Sequence, residues 1–200
     1  MRTMILICLF LGSSLSSWGQ DKTPYDYARA SAAEQKKGMY LLGGWSLASL
    51  GVGALGYGLS QGEEERAFHE MNMIWGGINL AIIGGSILLM KPAEPGLSLA
   101  DARKKQRKVQ NIYLINTGLD LLYMGAGAAL LATADRYPGQ EAGRRGYGKS
   151  ILLQGGFLFA YDGFEYLVQK RLGRPLFKEE GWSCRPASSS LGLALRYRFP

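Results

Sequence analysis

Residues 39–59 read MYLLGGWSLASLGVGALGYGL, 21 consecutive positions without a charged side chain. As an α-helix this stretch is about 30 Å long, the thickness of a bilayer's hydrocarbon core. Residues 71–90 repeat the feature, 112–134 carry only Asp120, and 150–168 form a weaker span with Asp162 and Glu165. The charges gather between these spans, at 22–37, 63–66, 101–108 and 135–149, so the mean hydropathy of -0.04 averages two unlike kinds of segment. A soluble bundle would instead run a polar stripe along every helix.

Composition excludes other classes. The chain has 200 residues, 47% hydrophobic, with 28 glycines and a formal charge of +7, which is neither collagen, a disulfide scaffold nor a disordered tail. A β-barrel would alternate apolar and polar residues over about ten positions, whereas these spans are apolar on successive residues for twice that length. Only Leu191, Leu193, Leu195, Tyr197 and Phe199 alternate, which predicts one short terminal strand. The expected fold is therefore all-α: a four-transmembrane-helix bundle with a short C-terminal strand or irregular tail. Its segments are a leader (1–19), a polar N-terminal segment (20–38), the membrane domain (39–168) and a polar tail (169–200).

Arg2 followed by an apolar run at 4–11 and small residues at 12–17 has the form of a signal peptide, with cleavage before Gln20. The run is too short to span a membrane, which disfavours an uncleaved anchor. Cleavage removes Cys8 and leaves Cys184, so no internal disulfide is expected. The expected location is the bacterial envelope, as an integral protein of the inner membrane. Orientation is contradictory. A cleaved leader puts 61–70 and 135–149 in the cytoplasm with 5 Lys and Arg, while the opposite side holds 14, against the positive-inside rule. The basic run from Arg103 to Lys108 suits anionic lipid, and nucleic acid is not expected.

The second and fourth spans share the pattern GGxxxAxxG, from Gly76 and from Gly155, and the first and third share Tyr40-Leu41-Leu42 against Tyr113-Leu114-Ile115. This favours two tandem helical hairpins about an axis along the membrane normal, although membrane-helix composition alone also produces such patterns. Gly77, Ala81 and Gly85, with Gly156 and Ala160, are expected to form small-residue stripes for close helix packing.

Two nucleotide motifs are coincidences of spelling. Residues 143–150 fit GxxxxGK[ST], but no hydrophobic strand precedes them; 51–56 fit GxGxxG inside an apolar span. Arg144, Arg145 and Lys149 remain candidate contacts for a phospholipid headgroup at the start of the fourth helix.

Polar residues inside the spans carry the functional question. His69, Asn72 and Asn79 share a face of the second helix, Asn116, Asp120 and Tyr123 a face of the third, and Gln154, Tyr161 and Glu165 a face of the fourth with Asp162 beside them. Asp120 at mid-bilayer costs about 3 kcal/mol and must face the interior. The cluster of His69, Asn72, Asn79, Asn116, Asp120, Tyr123, Gln154 and Asp162 reads first as a hydrogen-bonded lock at about 0.6 kcal/mol per contact. The alternative is a solute or proton site. A single histidine without thiolates makes a poor metal set, no nucleophile and base can be paired, and no cofactor is expected.

The segments His69-Glu70-Met71-Asn72-x-x-Trp75-x-x-x-Asn79, Asn116-x-x-x-Asp120-x-x-Tyr123 and Gly146-Tyr147-Gly148-Lys149-Ser150 leading to Gln154-Gly155-Gly156 make residues 37–167 resemble an uncharacterised family of small four-helix membrane proteins from Bacteroidota. The glutamine after the cleavage site also resembles leaders of that phylum. The resemblance implies architecture and no activity. The expected role is structural or interaction-based and not enzymatic, the alternative being a small carrier or channel using Asp120.

Overall fold

The computed structural model describes residues 22–177 and, by backbone alone, two further strands. Its helices are α1 (Pro24–Leu59), α2 (Glu63–Leu89), α3 (Leu99–Ala132) and α4 (Glu141–Gly173). Short 3-10 turns, Ala134–Arg136 and Arg174–Phe177, flank α4. Of the alternating C-terminal residues, Leu193, Leu195 and Tyr197 lie in a strand that has a partner: β1 (Gly181–Pro186) pairs antiparallel with β2 (Leu193–Arg198), Cys184 opposite Leu195, while Leu191 and Phe199 lie outside the described residues. The leader at 1–19 lies outside the described residues.

Local chemistry places the helix starts well before the apolar spans. Thr23 caps α1 with its side chain accepting from the Asp26 N–H, while the Asp26 carboxylate accepts from the Thr23 N–H at 2.8 Å, and Pro24 follows at the first turn. These bonds hold Asp26 below the ordinary carboxylate range, so the cap persists above that range and is lost only as pH falls beneath it. Ser98 caps α3 by accepting from the Asp101 N–H at 3.1 Å. Residues 24–38 are thus the first turns of α1 rather than a separate segment, and 99–108 the first turns of α3. At 36, 27, 34 and 33 residues, the helices run about 54, 40, 51 and 50 Å, so their charged ends extend past a bilayer core. α1, α2 and α3 are long and apolar enough to cross a membrane.

α4 is the central helix. It buries eleven residues against five on each of the others, packs along α3 and α2, and leaves α1 to pack along α2. α2 and α3 share no packed interface. The interior is inverted relative to a water-soluble bundle. Among the described residues twelve buried side chains are polar or charged and eight apolar, while 26 large hydrophobic side chains are exposed, Leu88 and Leu89 at 86% and 80%. An apolar surface around a polar interior is the arrangement that oil selects.

Glycine sets the closest helix approaches, with a register that repeats between the two hairpins. A Cβ on Gly53 would meet the backbone of His69 and Met73 at 3.0 and 3.2 Å; one on Gly127 would meet Gly148 and Leu152 at 2.9 and 3.0 Å. Likewise Gly76 faces the Ser46 oxygen and Leu50 nitrogen, and Gly155 the Asp120 oxygen and Met124 nitrogen. Gly53, Ser46 and Leu50 correspond to Gly127, Asp120 and Met124, each 74 positions on. His69, Met73 and Gly76 correspond to Gly148, Leu152 and Gly155, each 79 on. The five-residue difference lies in the connections, three residues at 60–62 against eight at 133–140. Two tandem hairpins therefore pack in the same way.

The packing glycines are not those expected. Gly77, Gly85 and Gly156 face open space, and Ala81 and Ala160 are exposed. One residue turns a helix by about 100°, so in each Gly-Gly pair only the first glycine faces a neighbour. Gly76→Ala and Gly146→Ala, the latter against the Glu64 and Phe68 backbone, should each destabilise the bundle by about 1–3 kcal/mol. Gly77→Ala and Gly156→Ala should be neutral or stabilising by up to about 1 kcal/mol. Reversible unfolding in detergent measures all four, and equal losses within each pair would contradict this packing.

Candidate functional site

α4 carries a polar column at near four-residue spacing: Ser150, Gln154, Asp162, Glu165 and Gln169 are all buried. The column divides into two closed hydrogen-bond knots with an open section between them. In the first knot Gln154, fully buried, accepts from Trp45 Nε1 at 2.7 Å and donates to Asn72 Oδ1 at 2.6 Å and Ser49 Oγ at 3.1 Å. Asn72 in turn donates to the Phe68 carbonyl at 2.9 Å, and Trp45 stacks on Phe157 at 4.0 Å. One amide thus ties α4 to α1 and α2. In the second knot Gln169 accepts from Ser31 Oγ at 2.7 Å, and Gln106 Nε2 donates to the Gln169 carbonyl at 2.7 Å, tying α1, α3 and α4.

From the first knot a cleft of about 860 Å³, lined by all four helices, runs alongside Ser31 and Gln106 of the second to the bundle end. Asn79, Asp120 and Asp162 are each at most 5% exposed and lie in its wall with Asn116 and Tyr123. The Asp162 carboxyl lies beside Asn116 and the Asp120 carboxyl. Two carboxyl groups in contact need a proton between them, because a carboxylate only accepts. Two atoms of this group have no partner: Asn79 Nδ2 and Asp120 Oδ2. Trp75 meets Tyr123 edge-on at 5.0 Å beside them.

The eight residues expected to cluster therefore separate. Asn79, Asn116, Asp120, Tyr123 and Asp162 share the cleft, while Asn72 and Gln154 belong to the first knot. His69 stands apart, half-exposed, its ring seated over Gly56 with Nδ1 buried and unpartnered. Gln106, Gln169 and Ser31 were missed as site residues, and Glu165, placed on the polar face of the fourth span, was left out of the cluster. Ending the fourth span at 168 placed Gln169 in a tail, and reading 91–110 as a connection hid Gln106; steps of three and then four residues from Asp162 reach Glu165 and Gln169. Gly38 makes room for Glu165, whose Oε1 would lie 2.6 Å from a Cβ there, and Glu165 Oε2 is unpartnered.

The phosphate-loop spelling at 143–150 is helical throughout and offers no loop. Its cations have protein partners: Arg144 donates to Thr133 Oγ1 at 2.8 Å and stacks on Tyr137 at 3.8 Å, Arg145 pairs with Asp135 at 2.6 Å, and Lys149 pairs with Glu64. Tyr147 donates to Glu70 at 2.7 Å, and that acceptor pushes the phenol above its ordinary value. Among the described residues no three His, Cys, Asp or Glu side chains are grouped to hold a metal ion.

The chain belongs to DUF6992, a family of unknown function, whose model matches residues 41–163. That stretch contains the cleft carboxyls and the Gln154 knot and stops before Glu165 and Gln169. No curated protein and no solved structure matches the chain.

The knots and the cleft should respond differently to substitution. Gln154→Leu strands the Trp45 N–H, the Ser49 hydroxyl and the Asn72 carbonyl, and should cost about 3 kcal/mol or more. Asp120→Asn alters an oxygen that has no partner and should shift stability by less than about 1 kcal/mol. Unfolding in detergent by circular dichroism distinguishes them, and a larger loss at Asp120 would make the cleft a structural knot.

Proposed function

We propose that this protein is an integral membrane protein of the bacterial envelope whose bundle binds a ligand in a one-ended cleft. The observation that carries the reading is the pair of buried, unpartnered groups in one wall, Asn79 Nδ2 and Asp120 Oδ2, in a bundle whose other interhelical amides are tied into knots. Buried polar groups without partners are rare in native structures and call for an explanation; a ligand supplies one. The membrane setting is supported by three helices long and apolar enough to cross and by the exposed apolar belt.

The cleft's shape supports binding rather than passage. It extends from Ala28, Lys91 and Lys105 at the bundle end where α1 and α3 begin, to Trp75, Tyr123 and Leu158 near mid-length. Beyond that depth the helices close on Gly53, Gly127, Gly146 and Gly148 and on the Gln154 knot. A continuous channel has no room there. We therefore favour an interaction role over a carrier.

Accessibility tests this reading. In a Cys184→Ser background, Ser86→Cys in the cleft wall should react with a water-soluble thiosulfonate added to the protein in nanodiscs. Ser150→Cys, at 0% exposure in the closed half, should not. Equal labelling at the two positions, or labelling at 150 alone, would refute a one-ended cleft.

A further inference from the structure

We propose that the cleft takes an aliphatic amine, its ammonium seated on Asp120 and Asp162 and its chain lying along the apolar wall of α2 and α4. This rests on the cleft being a binding site and names the class of ligand. The charge argument begins with what is missing from the floor. Asp120 and Asp162 touch, and the side chains around them in the cleft are Asn79, Asn116, Tyr123 and Tyr161, with no basic group among them. A single proton shared between two carboxyls leaves one negative charge, and a charge buried at membrane depth calls for a cation beside it or a second proton. The lysines of the cleft are distant: Lys105 and Lys108 lie 15 and 12 residues up α3 from Asp120, and Lys91 lies 12 residues beyond Asn79, each roughly 20 Å away at 1.5 Å per residue. The protein holds an acid pair without its counter-ion.

The ligand's cation would supply it. Asp120 Oδ2, buried and unpartnered, is an open acceptor for an ammonium N–H. Trp75 and Tyr123 stand beside it with ring faces that attract a positive charge. Asn79 Nδ2, the unpartnered donor, suits an oxygen next to the nitrogen, as in an amino alcohol. A metal ion does not suit the same floor, since it lacks a third grouped ligand. Above the floor, Ile78, Ile82, Ile83 and Leu158 form an apolar wall. From Ala102 to Tyr123 the cleft follows α3 for roughly 30 Å, an elongated space that fits a chain better than a compact solute.

The probes are aminododecanol, dodecanol and dodecanoate, titrated against the full protein in nanodiscs of zwitterionic lipid. Tryptophan emission is the readout, and Trp75→Phe gives the background. Aminododecanol should produce a saturable change that Trp75→Phe abolishes, with a midpoint at least tenfold below that of dodecanol. The double variant Asp120→Asn, Asp162→Asn, confirmed as folded by circular dichroism, should lose at least tenfold in affinity for the amine and change little for the alcohol. Equal midpoints for amine and alcohol, tighter binding of dodecanoate, or an unchanged double variant would overturn the amine assignment while leaving the cleft a binding site. No saturable change with any of the three would overturn the binding site as well.

Discussion

A polar side chain enclosed by helices that face oil has no water to fall back on, and the structure is organised around that constraint. Gln154 and Gln169 meet it from within the protein. Each is fully buried and bonded across three helices. Between lipid-like surfaces there is no hydrophobic push to hold helices together, so such bonds and the close approaches at glycine supply the attraction. The glycines bring backbones near enough for the amides to reach, and the amides fix which glycine faces which neighbour. Register and hydrogen bonding are therefore one specification, and the interior tolerates few unpaired atoms. Six buried side-chain atoms among the described residues lack a partner, and of these only Asn79 Nδ2 and Asp120 Oδ2 line the cleft.

The repeated hairpin shows how the cleft arises. Under the correspondence set by the packing glycines, Ser49 of α1 matches Tyr123 of α3 and Gln154 of α4 matches Trp75 of α2, while Ser46 matches Asp120 and Trp45 matches Leu119. The Ser49–Gln154 contact and the Tyr123–Trp75 contact are thus two versions of one interaction. On the first side a short hydroxyl and an amide draw α1 and α4 together, with the Trp45 indole completing the bond. On the second side two rings hold α2 and α3 apart at an edge-on spacing, and Leu119 offers no donor. Where the first copy has Ser46, which satisfies itself on the Leu42 carbonyl, the second has a carboxyl that cannot do so. The same backbone frame, furnished differently, gives a knot on one side and an open, acid-floored space on the other.

Much of the architecture was legible in sequence because it depends on composition over long stretches. Runs of 21 and 20 residues without charge fix the number and length of the apolar segments whatever their neighbours are. The face of α4 was legible too, since Gln154 and Asp162 lie on one side by helical geometry alone. Less legible was anything that turns on a single residue of rotation or on a distant partner. Gly76 and Gly77 are equivalent in sequence, and only the position of α1 separates them. The ends of the helices were obscured because charge was taken to mark connections, whereas Arg103 to Lys108 and Gln169 lie on helical turns beyond the apolar spans. Asn72 and Gln154, 82 positions apart, were expected in one polar cluster, but that they bond to each other in a knot separate from Asp120 has no sequence signal.

The distribution of charge bears on where the cleft's ligand comes from. The antiparallel order brings the start of α1, the 90–98 connection, the start of α3 and the end of α4 to one end, and this end carries Arg29, Lys36, Lys37, Lys91, Arg103, Lys104, Lys105, Arg107, Lys108, Lys170 and Arg171. At the other end the cations are balanced locally, as in Arg145 with Asp135 and Lys149 with Glu64. The cleft extends from the basic end. Exposed lysines in a headgroup layer are screened over about 10 Å, so they govern contact with anionic lipid around the rim without deciding what is held at the acid floor roughly 20 Å deeper. Two recognition problems are thereby kept apart in depth, surface charge at the rim and a single buried charge at mid-bundle.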